Sequence, residues 1–244
     1  MTVHDTPPLL WTARQRNPLR RNKSWGVDVS CVLYAIISCA NIYRALTRTP
    51  VASVQHLVAI WCDEWYRVHK FAELGAKLVF VFDGRDCGLK RIRRLQRATA
   101  TARWKQKLAE ATTWKELDKA NSNLARVNGH VLHAFCEWAR NKLKKGMYCL
   151  LGSPFEADAQ LSALEHDGFT DGTLIEDSDV FFYERTRNMY SGFSTRSTKK
   201  YRTIINRTTV DPYLSNLCGH SLRALTSFCD TDYVDHLKGV GTWI

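Results

Sequence analysis

Carboxylates gather in one short stretch of an otherwise basic chain. Leu174 to Phe182 reads LIEDSDVFF and carries Glu176, Asp177 and Asp179 between apolar residues. The whole chain has 35 Lys and Arg against 24 Asp and Glu, a formal net charge of +11. Two carboxylates about 4 Å apart repel by roughly 4 kcal/mol at an effective dielectric of about 20. These acids therefore either splay into water, as Asp and Ser do in ordinary turns, or hold a cation.

Further acids follow other apolar runs of the chain. Asp28 lies near the end of the run WGVDV, Asp83 ends KLVFVFD, and Glu156 and Asp158 come shortly after the run at 148–151. The middle run is continuous and β-branched, which is typical of a strand buried on both faces of a parallel sheet. In such sheets, ligands bind outside the carboxyl ends of the strands. Because four predicted strands deliver acids to one edge, a cation site is favoured over unrelated solvated turns.

The elements that must position these acids alternate between strand and helix patterns. Strands are predicted at 25–29, 77–83, 148–151 and 173–175, and helices at 31–43, 51–74 and 155–165, with a long polar helical region at 89–145. Gly75 is a suitable stop for the helix at 51–74. The alternation predicts an α/β fold with a largely parallel central sheet flanked by helices on both faces.

Glu156 has a second interpretation. Ser153-Pro154-Phe155-Glu156 matches a capping box with Pro at the first helical position. Glu156 then serves a cation site only if its side chain turns toward that site. On a regular helix Glu156 and Asp158 would diverge by about 200°, so they share a site only near an irregular first turn.

A cationic segment follows Asp83. Its basic members are Arg85, Lys90, Arg91, Arg93, Arg94, Arg97, Arg103, Lys105 and Lys107, and its acid is Asp86. Charge runs of this kind are usually solvated helix faces. Beside an acidic edge they also suit phosphodiester hydrolysis, because divalent metals activate water while Lys or Arg stabilises the charge that builds in the transition state.

Length and composition limit the classes of protein. The chain has 244 residues and 45% hydrophobic content, which suits a folded chain with a substantial core. No apolar run approaches the roughly 20 residues of a bilayer span. The eight cysteines never form a CxxC pair, so reduced thiols of an intracellular protein are expected. His130 and His133 have no matching zinc pair, and P-loop, HExxH and GxSxG motifs are absent from the sequence.

Five ordered motifs carry a family resemblance. They are GVDVSCVLY, LVFVFDGRDCGLKRIRRLQR, FEADAQLSAL, LIEDSDVFF and CDTDYVDHLKGVG. In order and spacing they resemble the XPG-type structure-specific 5′ nucleases, which include flap endonuclease and exonuclease 1. The residues EADAQ and EDSD are more similar to those of exonuclease 1 than to those of flap endonuclease. The resemblance runs from Trp25 to the last residue and implies a PIN-like 5′ nuclease core with a helical arch.

The resemblance also implies a division of the chain and a set of site residues. The charges of residues 1–24 predict a basic N-terminal arm, which an arm near nucleic acid and a transit peptide explain equally well. It precedes one implied nuclease domain at 25–244, which comprises 25–110, the arch and cap at 89–145, and 146–244. The implied ligands of two Mg²⁺ ions, with Mn²⁺ as the alternative, are Asp28, Asp83, Glu156, Asp158, Asp177, Asp179 and Asp232. The implied catalytic residues are Lys90 and Arg97, with Asp28, Asp83, Asp177 and Asp179. The implied DNA-binding residues are Tyr34, Arg93, Arg94, Arg103, Gly239 and Gly241.

The implied activity is two-metal hydrolysis of DNA phosphodiesters in repair or replication, as a 5′–3′ exonuclease or flap endonuclease acting on 5′ ends, flaps and nicks. RNA is an alternative substrate, and the implied compartment is the nucleus, with the mitochondrion as an alternative. Tyr34 either stacks on a splayed nucleotide or is a buried residue of its own helix, and the two interpretations stand equal. A catalytically impaired nucleic-acid-binding protein of the same fold is the alternative function.

Three features depart from the family pattern. The chain begins Met-Thr-Val-His rather than Met-Gly, which leaves the placement of a 5′ end open. The family's helix–two-turn–helix continues beyond Gly-Val-Gly, whereas this chain ends at Ile244, so we expect a truncated element and weaker duplex affinity. Asp230 stands where the family has glycine, and nothing in the sequence explains it.

Overall fold

Seven strands and six helices make up the described part of the computed structural model, which covers residues 15–17, 21–37, 51–85, 90–175, 177, 180, 183, 186–191 and 202–206. Only the backbone is described at 15–17, 51–53, 91–93 and 202–206. The strands are β1 (Gln15–Asn17), β2 (Ser24–Asp28), β3 (Lys77–Phe82), β4 (Tyr148–Gly152), β5 (Gly172–Leu174), β6 (Asn188–Ser191) and β7 (Arg202–Asn206). The helices are α1 (Val29–Ile37), α2 (Val51–Val68), α3 (Arg91–Glu110), α4 (Trp114–Leu124), α5 (Gly129–Lys142) and α6 (Ala157–His166).

The strands form one sheet in the order β1-β7-β6-β5-β2-β3-β4. The five strands from β6 to β4 run parallel, with β2 at their centre between β5 and β3. Two antiparallel strands, β7 and β1, extend the sheet beyond β6. The predicted largely parallel α/β fold is therefore confirmed, and residues 15–17 of the predicted N-terminal arm belong to the sheet edge.

Apolar side chains alternate between the two faces of the sheet, so each face has its own core. On one face, Leu78 and Phe80 of β3 join the larger cluster formed with α1, α2 and α5. On the other face, Val81 joins a smaller cluster with Ala157 and Leu161 of α6. A strand that is apolar on both faces reads as a continuous apolar run, as KLVFVF does. The predicted placement of helices on both faces is confirmed.

The helix predicted at 51–74 is shorter in the structure and ends at Val68. Lys70 adopts a positive φ of 56°, and the chain continues in turns to Gly75, which has a φ of 60°. Phe71 then packs against Trp65 at 5.0 Å between ring centroids. Gly75 thus ends a turn rather than the helix. The helix predicted at 31–43 begins two residues earlier, at Val29, and residues 38–43 lie outside the described residues.

The region predicted as arch and cap contains three helices with different surroundings. α3 and α4 pack against each other, and most of their side chains are exposed. α5 packs instead on α2 and buries Phe135 and Trp138 in the larger core. The Trp138 indole donates a hydrogen bond of 2.7 Å to Asp63 of α2. We call α3 and α4 the helical pair.

No helix within the described ranges combines the length and apolar composition that crossing a bilayer requires. Among the cysteines in those ranges, Cys31, Cys62, Cys136 and Cys149 are unpaired thiols.

Candidate metal and phosphate site

The carboxyl ends of four neighbouring strands carry acids, as the sequence predicts. Asp28 is the last residue of β2, and Asp83 directly follows β3. Glu156 and Asp158 flank the first residue of α6, just after β4, and Asp177 follows β5. β5, β2, β3 and β4 are consecutive in the sheet. We call this the carboxyl edge.

Asp28 is the buried acid of the carboxyl edge. Its side chain is 7% exposed and accepts hydrogen bonds from the backbone N–H groups of Ser30, at 2.7 Å, and Cys31, at 3.3 Å. Burial raises its pKa from 3.8 to about 6, and the negative charge of Asp83 adds to that rise, while the bonds from Cys31 and Ser30 oppose it. A buried carboxylate beside a second one is stabilised by any cation that reaches it.

Asp83 is oriented by two donors from distant parts of the chain. One oxygen accepts the Ser30 hydroxyl at 2.9 Å, and the other accepts the backbone N–H of Ala157, the first residue of α6, at 2.9 Å. Ser30 thus bonds both acids, through its N–H to Asp28 and its hydroxyl to Asp83. A negative charge at a helix N-terminus is favourable, because the first N–H groups have no partner within the helix.

The capping box predicted for Ser153 to Glu156 is wrong. Glu156 itself occupies the N-cap position, without a capping hydrogen bond from its side chain. The Ser153 hydroxyl donates instead to the Glu156 carbonyl at 2.8 Å. Asp83, which follows β3, accepts the N–H of Ala157 in the first turn of α6. The Glu156 side chain makes no capping bond and can therefore bind another partner. Because Glu156 precedes the helix and Asp158 lies within it, the divergence expected on a regular helix does not apply to this pair.

Lys90 is that partner. Its ammonium lies 2.7 Å from a Glu156 carboxylate oxygen, and the two side chains are only 18% and 21% exposed. Lys90 directly precedes α3, and its carbonyl accepts the N–H of Arg94. The structure therefore brings Lys90 of the basic segment to the carboxyl edge.

The pKa of the Cys31 thiol shows that Asp158 and Asp177 also lie near the carboxyl edge. This pKa is raised well above the usual value, first by burial and then by the negative charges of Asp28, Asp158 and Asp177. All three carboxylates are therefore near enough to act on the same atom. Asp83 acts electrostatically on Asp28 and shares Ser30 with it, so acids from β2, the end of β3, α6 and the segment after β5 lie in one neighbourhood.

The donor chemistry of this edge fits a hard divalent cation. All candidate donors are carboxylate oxygens, which are the ligands of Mg²⁺ and Mn²⁺. The raised pKa of Asp28 also indicates local negative charge that a cation would relieve. Among the residues the structure describes, no three acid, His or Cys side chains form a ready metal-ligand group. Three of the described acids, Asp28, Asp83 and Glu156, bond Ser30, Ala157 and Lys90.

The other predicted site residues divide into three groups. Tyr34 is 46% exposed, so its interpretation as a buried residue is wrong, and its stacking role stays a prediction. Arg94, Arg97 and Arg103 lie exposed along α3, and Arg93 belongs to the same helix by its backbone. Four predicted residues lie outside the described residues: Asp179, Asp232, Gly239 and Gly241.

Sequence reasoning missed Ser30 and Gly84. A Cβ on Gly84 would overlap the carbonyl oxygen of Ser153, so only glycine allows the segments after β3 and β4 to meet. There the N–H of Gly84 bonds the Phe155 carbonyl, and the N–H of Arg85 bonds the Pro154 carbonyl. The available signals were a serine two residues after Asp28 and a glycine directly after Asp83.

Comparisons with known proteins agree with this arrangement. Residues 149–232 match the family model of the XPG I-region. Flap endonuclease 1 of Nematostella vectensis is 26% identical over 232 residues, covering 88% of this chain and 56% of the relative. Flap endonuclease 1 of Aedes aegypti is 28% identical over 162 residues, covering 65% of this chain and 40% of the relative. The chain thus spans about half the length of these curated relatives.

Two solved structures share the fold. The catalytic core of Rad2 in complex with DNA substrate has a TM-score of 0.63 at 21% identity, covering 98% of this chain and 65% of the other. Human GEN1 in complex with Holliday junction DNA has a TM-score of 0.55 at 18% identity, covering 93% and 50%. The matched I-region and the flap endonuclease relatives make this chain similar in sequence to the XPG-type 5′ nucleases, and the Rad2 and GEN1 cores share its fold.

Proposed function

We propose that this protein is a structure-specific 5′ nuclease that hydrolyses DNA phosphodiesters, as a 5′–3′ exonuclease or flap endonuclease, in DNA repair or replication. The observation that carries this proposal is the convergence of acids from four neighbouring strands beside Lys90 and the basic helix α3. A module that only binds nucleic acid has little use for a repelling acidic cluster next to phosphate.

The proposed cofactors are two Mg²⁺ ions, or Mn²⁺, held by Asp28, Asp83, Glu156, Asp158, Asp177, Asp179 and Asp232. Divalent ions at such a site activate water and stabilise the leaving oxygen. The carboxylate oxygens of the described acids are the donors that such hard cations take, which supports the class of metal, and the ligand set of this chain is a proposal.

The residues of this chain have separate parts in the proposed reaction. Ser30 holds the carboxylates of Asp28 and Asp83 in one orientation through its N–H and hydroxyl groups. Lys90 is close enough to Glu156 to neutralise it and, with Arg97, is proposed to stabilise the phosphate charge that builds in the transition state. Arg93, Arg94 and Arg103 are proposed to hold the DNA strand along α3.

Substrate, partner and compartment complete the proposal. 5′ ends, flaps and nicks in DNA are the proposed substrates, and RNA is the alternative. The flap endonuclease relatives support an intracellular, nuclear location in a eukaryotic cell, with the mitochondrion as the alternative. A closer likeness to exonuclease 1 than to flap endonuclease stays a prediction from the EADAQ and EDSD motifs.

One cleavage experiment tests the activity. Purified protein is incubated with labelled 5′-flap, nicked and recessed DNA in Mg²⁺ and in EDTA. We expect cleavage from the 5′ side that needs Mg²⁺ and is lost in Asp177→Asn. Asp171→Asn is the matched control, because Asp171 precedes β5 at the opposite edge of the sheet.

The exposed Arg94, Arg97 and Arg103 of α3 would bind nucleic acid with or without cleavage, so the other candidate is a nucleic-acid-binding protein of the same fold without catalysis. Tight binding of every DNA form without any cleavage would select that candidate. Cleavage that survives Asp177→Asn would contradict the proposed site.

A further inference from the structure

We propose that Phe155 is a nucleobase-stacking residue of the carboxyl edge, and this inference rests on the proposed nuclease function. Phe155 is 53% exposed, although it belongs to the short connection between β4 and α6 that carries Glu156. Single exposed apolar residues are common on protein surfaces. The position of this one is unusual because its neighbours on the edge are carboxylates and a lysine.

The backbone around Phe155 is fixed on both sides. Its carbonyl accepts the N–H of Gly84 at 2.5 Å, and its N–H donates to the Ser153 hydroxyl at 3.4 Å. Pro154 precedes it, and the Pro154 carbonyl accepts the N–H of Arg85 at 3.0 Å. The connection is thus tied to the segment that follows β3, and the exposed ring is carried by a firmly bonded backbone.

The same connection bears the groups proposed to meet the phosphate. Glu156, the next residue, pairs with Lys90, and Ala157 donates its N–H to Asp83. A nucleotide whose phosphate lies at the carboxyl edge therefore brings its base or sugar within reach of the Phe155 ring. An unpaired base presents a flat, apolar face, and aromatic rings bind such faces without sequence preference.

The described part of the chain offers a matched control. Phe169 is 68% exposed and lies between α6 and β5, at the edge of the sheet opposite the acids. The two residues share side-chain type and high exposure but differ in which end of the sheet they occupy. If exposure alone were the cause of an effect on DNA, both would produce it.

The test uses a recessed DNA duplex with 2-aminopurine at its 5′ end, because the fluorescence of this base falls when it stacks on an aromatic ring. Binding is measured in the Asp177→Asn background, where no cleavage is expected, and turnover is measured in the otherwise unchanged chain. We expect Phe155→Leu to lose the quenching and to raise KM about 5- to 100-fold while changing kcat less. Phe155→Trp should restore both quantities, and Phe169→Leu should change neither.

Failure of this inference differs from failure of the proposed function. If Phe155→Leu cleaves DNA with the KM of the wild type and quenches 2-aminopurine to the same extent, the stacking role is overturned. The nuclease function would then still stand. Equal losses in Phe155→Leu and Phe169→Leu would also overturn it. If no variant cleaves DNA, the nuclease function fails, and the fluorescence in the Asp177→Asn background alone decides whether Phe155 stacks.

Discussion

The two edges of the sheet use carboxylates in opposite ways. At the carboxyl edge, Asp28 lies beside Asp83, and the charge of Asp83 helps to raise its pKa. At the amino edge, Asp171 accepts the Lys23 ammonium at 2.6 Å and the N–H of Ser24 at 2.9 Å. Asp28 and Asp171 both accept backbone N–H groups, but Asp171 also binds an ammonium, whereas the charge that acts on the buried Asp28 is that of another acid.

Glu165 extends the pattern at the amino edge. It lies near the end of α6 and accepts the backbone N–H groups of Arg187 and Asn188 and the side-chain amide of Asn188. α6 therefore begins beside Asp83, whose charge raises the pKa of Asp28, and ends at Glu165, which has three hydrogen-bond donors although burial still raises its pKa. The donors at the amino edge hold the fold together, while the carboxyl edge keeps interacting negative charge at the proposed metal site.

The largest effect is expected for activity after Asp83→Asn. The amide has one acceptor oxygen for two donors, Ser30 and Ala157, and it removes a charge from the proposed metal site. We expect DNA cleavage to fall on the order of 100- to 1,000-fold in single-turnover kinetics with Mg²⁺. Asp171→Asn is the control, and equal losses in both variants would remove the distinction between the edges.

Glu165→Gln should have its main effect on stability. The NH₂ group of Gln would face either the N–H of Arg187 or the donors of Asn188, leaving a buried donor without an acceptor. Because burial raises the pKa of Glu165, removing its charge offsets part of this cost, and we expect the free energy of unfolding in urea at pH 7 to fall by about 1–2 kcal/mol. Cleavage per folded molecule at low temperature should remain that of wild type. A selective loss of activity without loss of stability would contradict the structural role.

Asp28→Asn should change stability in the opposite direction. The folded-state pKa of Asp28 is raised from 3.8 to about 6, first by burial and further by Asp83, so the folded protein binds more protons than the unfolded chain between those values. The stability of metal-free protein therefore falls as the pH rises from about 4 to about 6. We expect Asp28→Asn to remove this fall and to be about 3 kcal/mol more stable than wild type at pH 7. Urea unfolding in EDTA from pH 4 to pH 7 measures it, and a less stable variant at pH 7 would contradict the account.

The smallest effect is expected for Lys23→Met. Burial alone would raise the pKa of Asp171, but the hydrogen bonds from Lys23 and Ser24 and the charge of Lys23 together lower it below 3.8. The pair therefore stabilises the fold above that pH and loses its effect as the pH falls through the lowered pKa. Both side chains are more than a third exposed, so we expect less than about 1 kcal/mol at pH 7. Urea unfolding in low and high salt checks this value, which salt should reduce.

The strands and their acids could be predicted because local patterns encode them. KLVFVF is apolar on both faces, and Asp83 follows it directly, so the strand and its carboxyl end are legible in the sequence. The cap of α6 could not be predicted from the local sequence. Its first N–H group, that of Ala157, donates to Asp83, which lies 74 residues away in the chain, and the local capping box does not form. The end of α2 also depends on distant contacts, since Phe71 packs against Trp65 only after the chain turns at Lys70.

Ser30 shows the same limit within the site. The Ser30 hydroxyl donates to Asp83, which lies 53 residues away in the chain. The position of Ser30 close to Asp28 therefore does not predict a hydrogen bond to the second acid. Tyr34 was undecided because a helical position next to apolar residues suits both a buried and an exposed ring. Its exposure follows from the way α1 lies on the sheet, with Leu33 and Ile37 turned to the core.

Direct titration with Mn²⁺ tests the central claim that the carboxyl edge binds divalent cations. Isothermal titration calorimetry of wild type, Asp28→Asn and Asp171→Asn at pH 6 and pH 7 measures affinity and, in buffers of different ionisation enthalpy, proton release. We predict that wild type and Asp171→Asn bind Mn²⁺ alike and that Asp28→Asn binds it at least about 10-fold more weakly. Wild type should release more protons at pH 6 than at pH 7, because the pKa of Asp28 is about 6. Equal Mn²⁺ affinity in Asp28→Asn and wild type would contradict the account.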